Sequence, residues 1–130
     1  MGMAEEVIIK PNYEKLCSKI LNSDEHIRFT AFVNDKSKIL YSEQKDNLDS
    51  LLQEHEFGMS VHYTLERWRK AQNFTFRLGK ERLTFTEYDN VTLVTIPFKG
   101  TLLLVSTEPR INYDPIIEKI NSILTDWEKI

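Results

Sequence analysis

At 130 residues the chain is long enough to bury one core. With 41% hydrophobic and 28% charged residues and only four glycines, it falls outside the disordered and fibrous classes. A formal net charge of −3 argues against a nucleic-acid partner, which calls for a concentrated basic face. No run approaches the roughly 18 apolar residues of a membrane span, so no membrane partner is expected.

Residues 1–10 read as a lead-in in which Val7, Ile8 and Ile9 add at most an edge contact, and residues 11–130 as one α/β domain. Met1–Glu6 has neither a positive n-region nor a long apolar run, and Glu6 stands where a myristoylation signal needs Ser or Thr. With a single cysteine, Cys17, no internal disulfide can form. The expected compartment is therefore the reducing cytoplasm.

Asn12 is placed to cap a first helix, whose apolar stripe is Tyr13, Leu16, Cys17, Ile20 and Leu21. Asn22-Ser23-Asp24 stops it. From Ile27 to Val33 the pattern alternates, with Ile27, Phe29, Ala31 and Val33 on one buried face and Arg28, Thr30 and Phe32 on the other. Asn34–Ser37 turns the chain into a second strand, Lys38–Ser42, which predicts an antiparallel hairpin. Leu48, Leu51, Leu52 and His55 recur at helical spacing before Gly58, and a longer helix starts at Met59 with Val61, Leu65 and Trp68 on one face.

Residues 73–78 carry two readings. Phe74-Thr75-Phe76-Arg77-Leu78 alternates as a strand does, with Gly79-Lys80 as a hairpin turn. Alternatively the helix continues to Leu78 and Gly79 caps it. Beyond, Arg82–Tyr88 and Val91–Ile96 read as paired strands around Asp89-Asn90, the second ended by Pro97. Thr101–Ser106, whose Leu102–Val105 is the longest apolar run, belongs in the centre of the sheet. Asp114-Pro115 reads as a helix cap with proline at the first helical position, opening a last helix that carries Ile116, Ile120, Ile123 and Trp127 on one stripe.

Candidate chemistry is sparse. His55 and His62, with Glu54 or Glu56 beside them, do not make the four-ligand set of a structural zinc site, and Gly58 is expected to interrupt the helix between them. His26 stands alone. Cys17, on the apolar face of its helix, reads as a small core residue, without the cation that would activate it. The acidic residues are scattered, the phosphate-binding glycine patterns are missing, and Ser18, Ser60 and Ser106 lack a nucleophile elbow. Asn73-Phe74-Thr75 and Asn90-Val91-Thr92 match the glycosylation pattern by chance. Arg67, Arg69 and Lys70 around Trp68 read as the solvated side of a helix with one buried ring, not as a nucleic-acid surface. The expectation is no catalytic residue, no metal and no cofactor.

The order helix, two strands, helix, three strands, helix resembles the roadblock/dynein light chain domains and, more distantly, profilin-like and longin-like folds. More locally, Ile27-Arg28-Phe29, Met59-Ser60-Val61-His62-Tyr63-Thr64, Leu78-Gly79-Lys80-Glu81, Thr86-Glu87-Tyr88 and Leu102–Thr107 look like a family of uncharacterised archaeal proteins. That likeness implies helix, not strand, before Leu78-Gly79. The implied fold is α/β (α+β): a five-stranded, mainly antiparallel sheet with three helices. Roadblock-like domains dimerise through the long central helix and an edge strand, and serve as platforms for small GTPases or larger assemblies. The resemblance thus implies a non-enzymatic interaction or regulatory scaffold, a homodimer, with Tyr63, Arg67, Trp68 and Arg69 as interface residues. The alternative is a small-molecule sensor whose apolar pocket is lined by Tyr63, Trp68, Phe85 and Tyr88.

Overall fold

The computed structural model describes residues 9–45 and 54–130. Val7 and Ile8 of the lead-in, and Leu48, Leu51 and Leu52 of the short helix expected before Gly58, lie outside the described residues.

The first helix, α1, spans Tyr13–Asn22, and Asn12 caps it as expected: its Oδ1 accepts the Lys15 amide at 3.1 Å. Strands β1 (Ile27–Val33) and β2 (Ile39–Gln44) form the predicted antiparallel hairpin. Helix α2 runs Glu54–Ala71, a 3₁₀ turn covers Gln72–Phe74, and the one-turn α3 spans Thr75–Leu78. Strands β3 (Thr84–Glu87), β4 (Thr92–Phe98) and β5 (Thr101–Thr107) follow, then α4 (Asp114–Thr125) and a closing 3₁₀ turn at Trp127–Lys129. The five strands form one antiparallel sheet in the order β2-β1-β5-β4-β3. As its apolar run implies, β5 lies at the centre.

Helices cover the sheet unequally. On one face α1 and α4 pack Leu16, Cys17, Ile20, Ile116 and Ile120 against Ile27, Phe32, Val94, Leu103 and Val105, the main core. On the other, α2 supplies Val61 and Leu65 to a smaller cluster with Val33 and Leu102, edged by Phe57, Trp68 and Leu104. This arrangement corrects the reading of β1 as a strand with one buried face. A register shift against β5 between Ile27 and Phe29 puts Ile27 and Phe32 in the same core. Val33 belongs to the opposite cluster, and even Thr30 is enclosed, its hydroxyl donating to the Cys17 carbonyl at 3.2 Å.

Three further expectations change. Helix α2 passes through Gly58 without a break, since helical hydrogen bonding by its neighbours outweighs one glycine's cost of about 1 kcal/mol. Strand β4 continues past Pro97 to Phe98, because β3 pairs only with Thr92–Thr95 and no strand there needs the missing N–H. Asp114 is the first residue of α4 rather than its cap, and its amide is instead accepted by Asn112 Oδ1 at 3.2 Å. For residues 73–78, helix prevails over strand. Gly79, at φ +80°, then turns the chain with a backbone other residues resist, its amide bonded to the Thr75 carbonyl at 2.8 Å.

Cys17 is fully buried, and burial pushes its thiol up to about 11. Native protein at mildly alkaline pH is therefore expected to leave a thiol-exchange reagent unconsumed, whereas urea-unfolded protein reacts at once. Fast labelling of the folded chain, followed by colour release, contradicts this assignment.

Candidate functional site

Helix α2 shows two faces at 3.6-residue spacing. Phe57, Val61, Leu65 and Trp68 face the sheet, and Met59, Tyr63, Glu66, Arg67 and Lys70 line an open groove on the outer side together with Gly58 and His62. Met59 and Tyr63 are 70% and 69% exposed, and a Cβ built on Gly58 would meet nothing within 4 Å. Two large apolar side chains about one turn apart on an outer helix face cost free energy in water unless another surface covers them.

The four positions expected to act together are not on one surface. Tyr63 and Arg67 share the outer groove. Trp68 turns inward against the smaller core. Arg69 reaches the Asp35 carbonyl in the β1–β2 turn. Of the alternative pocket set, only Tyr63 lines the groove: Phe85 leans on the Tyr113 ring at 5.3 Å and Tyr88 is 54% exposed just past β3.

Arg67 ties the groove to the sheet edge. Its guanidinium lies 3.3 Å from Glu81 Oε1 and donates to Thr84 Oγ1 of β3 at 3.0 Å, and the Thr84 hydroxyl donates to the same carboxylate. This link holds the outer side of α2 beside β3, which among the described residues is an edge strand paired only with β4. The other oxygen, Glu81 Oε2, is buried and has no hydrogen-bond partner among the described residues.

Sequence reasoning missed Met59 as a surface residue, and with it Phe74, Phe76 and Leu78, which are 59%, 79% and 82% exposed. A signal was present in the strict alternation of residues 74–78, since no single helix face can bury every second residue.

A second polar cluster closes the far end of the sheet. His26 is not alone: its Nδ1 lies 2.8 Å from Glu108 Oε2, 82 residues away, and its amide donates to Asp24 Oδ1 at 2.9 Å. Lys119 of α4 reaches Asp24 Oδ2 at 3.0 Å, and Lys45 donates to the Asp24 carbonyl at 2.8 Å. Burial raises the Asp24 carboxyl, but the His26 amide and Lys119 together outweigh it and hold the group below its ordinary value. The hydrogen bond to Glu108 raises His26 above the ordinary histidine value of 6.5, with the charges of Asp24 and Glu25 adding to it. Because the folded value is the higher one, this contribution to stability is complete below pH 6.5 and disappears as pH climbs through the raised value. The melting difference between wild type and His26→Gln is thus expected to shrink from about pH 5.5 to pH 8.5. A difference that is constant or grows with pH rules out the charged pair.

Among the described residues no group of three or more His, Cys, Asp or Glu is placed to hold a metal ion. Glu54 and His55 lie on α2 with His62, whose Nε2 sits 3.8 Å from Glu66 Oε1 on the surface. No described helix is long and apolar enough to cross a membrane.

The architecture is that of a roadblock/LC7 domain. The chain is similar to the Roadblock/LC7 domain from Streptomyces avermitilis, at 12% identity and a TM-score of 0.68, over 88% of this chain and 93% of that one. It is similar to the gliding protein MglB from Thermus thermophilus, at 9% identity and a TM-score of 0.69, over 99% and 100% of the two chains. MglB of Myxococcus xanthus matches at 14% identity and a TM-score of 0.68, over 95% of this chain and 92% of that one. No curated protein matches. The model of one family, the family of unknown function DUF6659, matches residues 3–130.

Proposed function

Because this chain belongs to DUF6659, a family of unknown function, and folds as a roadblock/LC7 domain, we propose that it is a non-enzymatic interaction module that works as a homodimer. Two copies meet through the outer face of α2 and the free edge of β3, and the paired surface serves as a regulatory platform for another protein, a small GTPase by analogy with roadblock-like domains. The observation that carries this reading is the pair Met59 and Tyr63, each about 70% exposed on the side of α2 that faces away from its own sheet. Tyr63 and Arg67 are the contact residues. Trp68 acts by backing the helix from inside, and Arg69 by holding the β1–β2 turn against it. An archaeal cytoplasm is the setting this reading retains.

Light scattering across a dilution series tests the proposal. The expected particle has about twice the 15.3 kDa chain mass, and a strict monomer at high concentration ends the reading.

A further inference from the structure

The basic residues of this acidic chain are not evenly spread. Arg67, Arg69, Lys70, Arg77, Lys80 and Arg82, six of its 17, fall within residues 67–82, which hold one of its 20 acidic residues, Glu81. The rest of the chain is left with 11 basic against 19 acidic residues. Arg67 is paired with Glu81, but Arg69, Lys70, Arg77, Lys80 and Arg82 are all exposed.

Between those cations stand Phe74, Phe76 and Leu78, which belong to neither core cluster and are among the most exposed apolar side chains described. The Arg77 guanidinium lies 5.5 Å from the centre of the Phe76 ring, so charge and ring share one small area. These three apolar side chains add to neither core cluster.

We propose that residues 72–82, the 3₁₀ turn and α3 that follow α2 and the connector to β3, dock the protein on an anionic membrane surface. Phe74, Phe76 and Leu78 enter the boundary between headgroups and acyl chains, while Arg77, Lys80 and Arg82 meet the lipid phosphates and carboxylates. The acidic remainder is repelled from the same surface, so only this corner approaches, and the charge distribution orients the protein as well as attracting it. Nucleic acid fits less well, because Leu78 offers no stacking face. An acidic protein would need a hollow complementary to three side chains that stand out into solvent.

The test is co-sedimentation with vesicles of equal parts phosphatidylserine and phosphatidylcholine, beside vesicles of phosphatidylcholine alone. Binding is expected only to the mixed vesicles and is expected to weaken with salt. Replacing Arg77, Lys80 and Arg82 together by Gln lowers affinity roughly 100-fold, at about fivefold per cation. Phe76→Ser with Leu78→Ser weakens binding at unchanged charge. All five positions are exposed, so each variant should melt like wild type, which calorimetry checks. No capture by mixed vesicles at low salt, equal capture by neutral ones, or variants that bind as wild type each overturn the proposal. Capture by a polyglutamate peptide or by DNA in place of vesicles also overturns it. Light scattering on the same variants separates this surface from the dimer contact. Lost vesicle binding with the wild-type oligomer retained supports docking, whereas a variant that loses binding only by falling to monomer overturns it.

Discussion

Replacing Phe32 by alanine is expected to remove about 3–5 kcal/mol of stability and to lower the melting temperature by roughly 10–20 °C. The ring is fully buried in β1. It packs against Tyr13 of α1 at 5.0 Å between centroids and against Phe98 of β4 at 5.8 Å. Collapse around the lost volume is resisted from several sides, because β1 is bonded to both β2 and β5 and because α1 and α4 cover the same face. A cavity therefore persists, and its cost adds to the lost transfer free energy. Phe32→Leu keeps most of the volume and should cost well under half as much. Urea and thermal unfolding of both variants measure this. A loss below about 1.5 kcal/mol for Phe32→Ala means that the main core does not depend on the aromatic contact joining α1 to the sheet.

Tyr63→Glu is expected to convert the proposed dimer to monomer while leaving the fold intact. In a two-fold symmetric contact every substitution is made twice, and residues near the axis meet their own copies. Losing a tyrosine anchor costs about 2 kcal/mol or more per copy, so the dissociation constant should rise by about 1,000-fold or more. Two new carboxylates, one from each copy, add repulsion across the proposed contact. Met59→Glu acts in the same direction, and the two together should leave only monomer. Since both side chains are about 70% exposed within a helix, neither change removes a core contact, and the secondary structure should persist. Light scattering and circular dichroism read the two halves of this expectation. A Tyr63→Glu variant that stays dimeric moves the contact away from α2. A variant that unfolds shows that α2 holds to its sheet only with a partner in place, consistent with the small cluster beneath it.

Helix and strand positions were largely legible because each leaves a period in the chain. Leu16, Cys17 and Ile20 share one stripe, and the Lys99-Gly100 pair, both at positive φ, makes the short hairpin between β4 and β5. The run Leu102–Val105 announced a strand covered on both faces, and β5 is central. Boundaries were less legible. Gly58 and Pro97 are breakers by local propensity, yet α2 and β4 run through them, because neighbouring turns and the missing stretch of β3 remove the penalty each usually carries. The candidate surface was legible only in part: Tyr63 and Arg67 are where a helical reading puts outward residues, while Trp68, on the same short stretch, faces the sheet.

The amino-acid order by itself determined which side chains share a face, where the chain turns and where charge accumulates, since all three depend on neighbours within a few residues. It had already written residues 67–82 as a basic, aromatic stretch. Tertiary structure alone decided what stands opposite each face. It brought Glu108 to His26 across 82 residues and Glu81 and Thr84 to Arg67, and it left Met59, Tyr63, Phe76 and Leu78 uncovered. Periodicity says that a face is apolar. Whether protein, partner or water covers it depends on how many layers the packed chain can supply, a property of the whole fold and of no local segment.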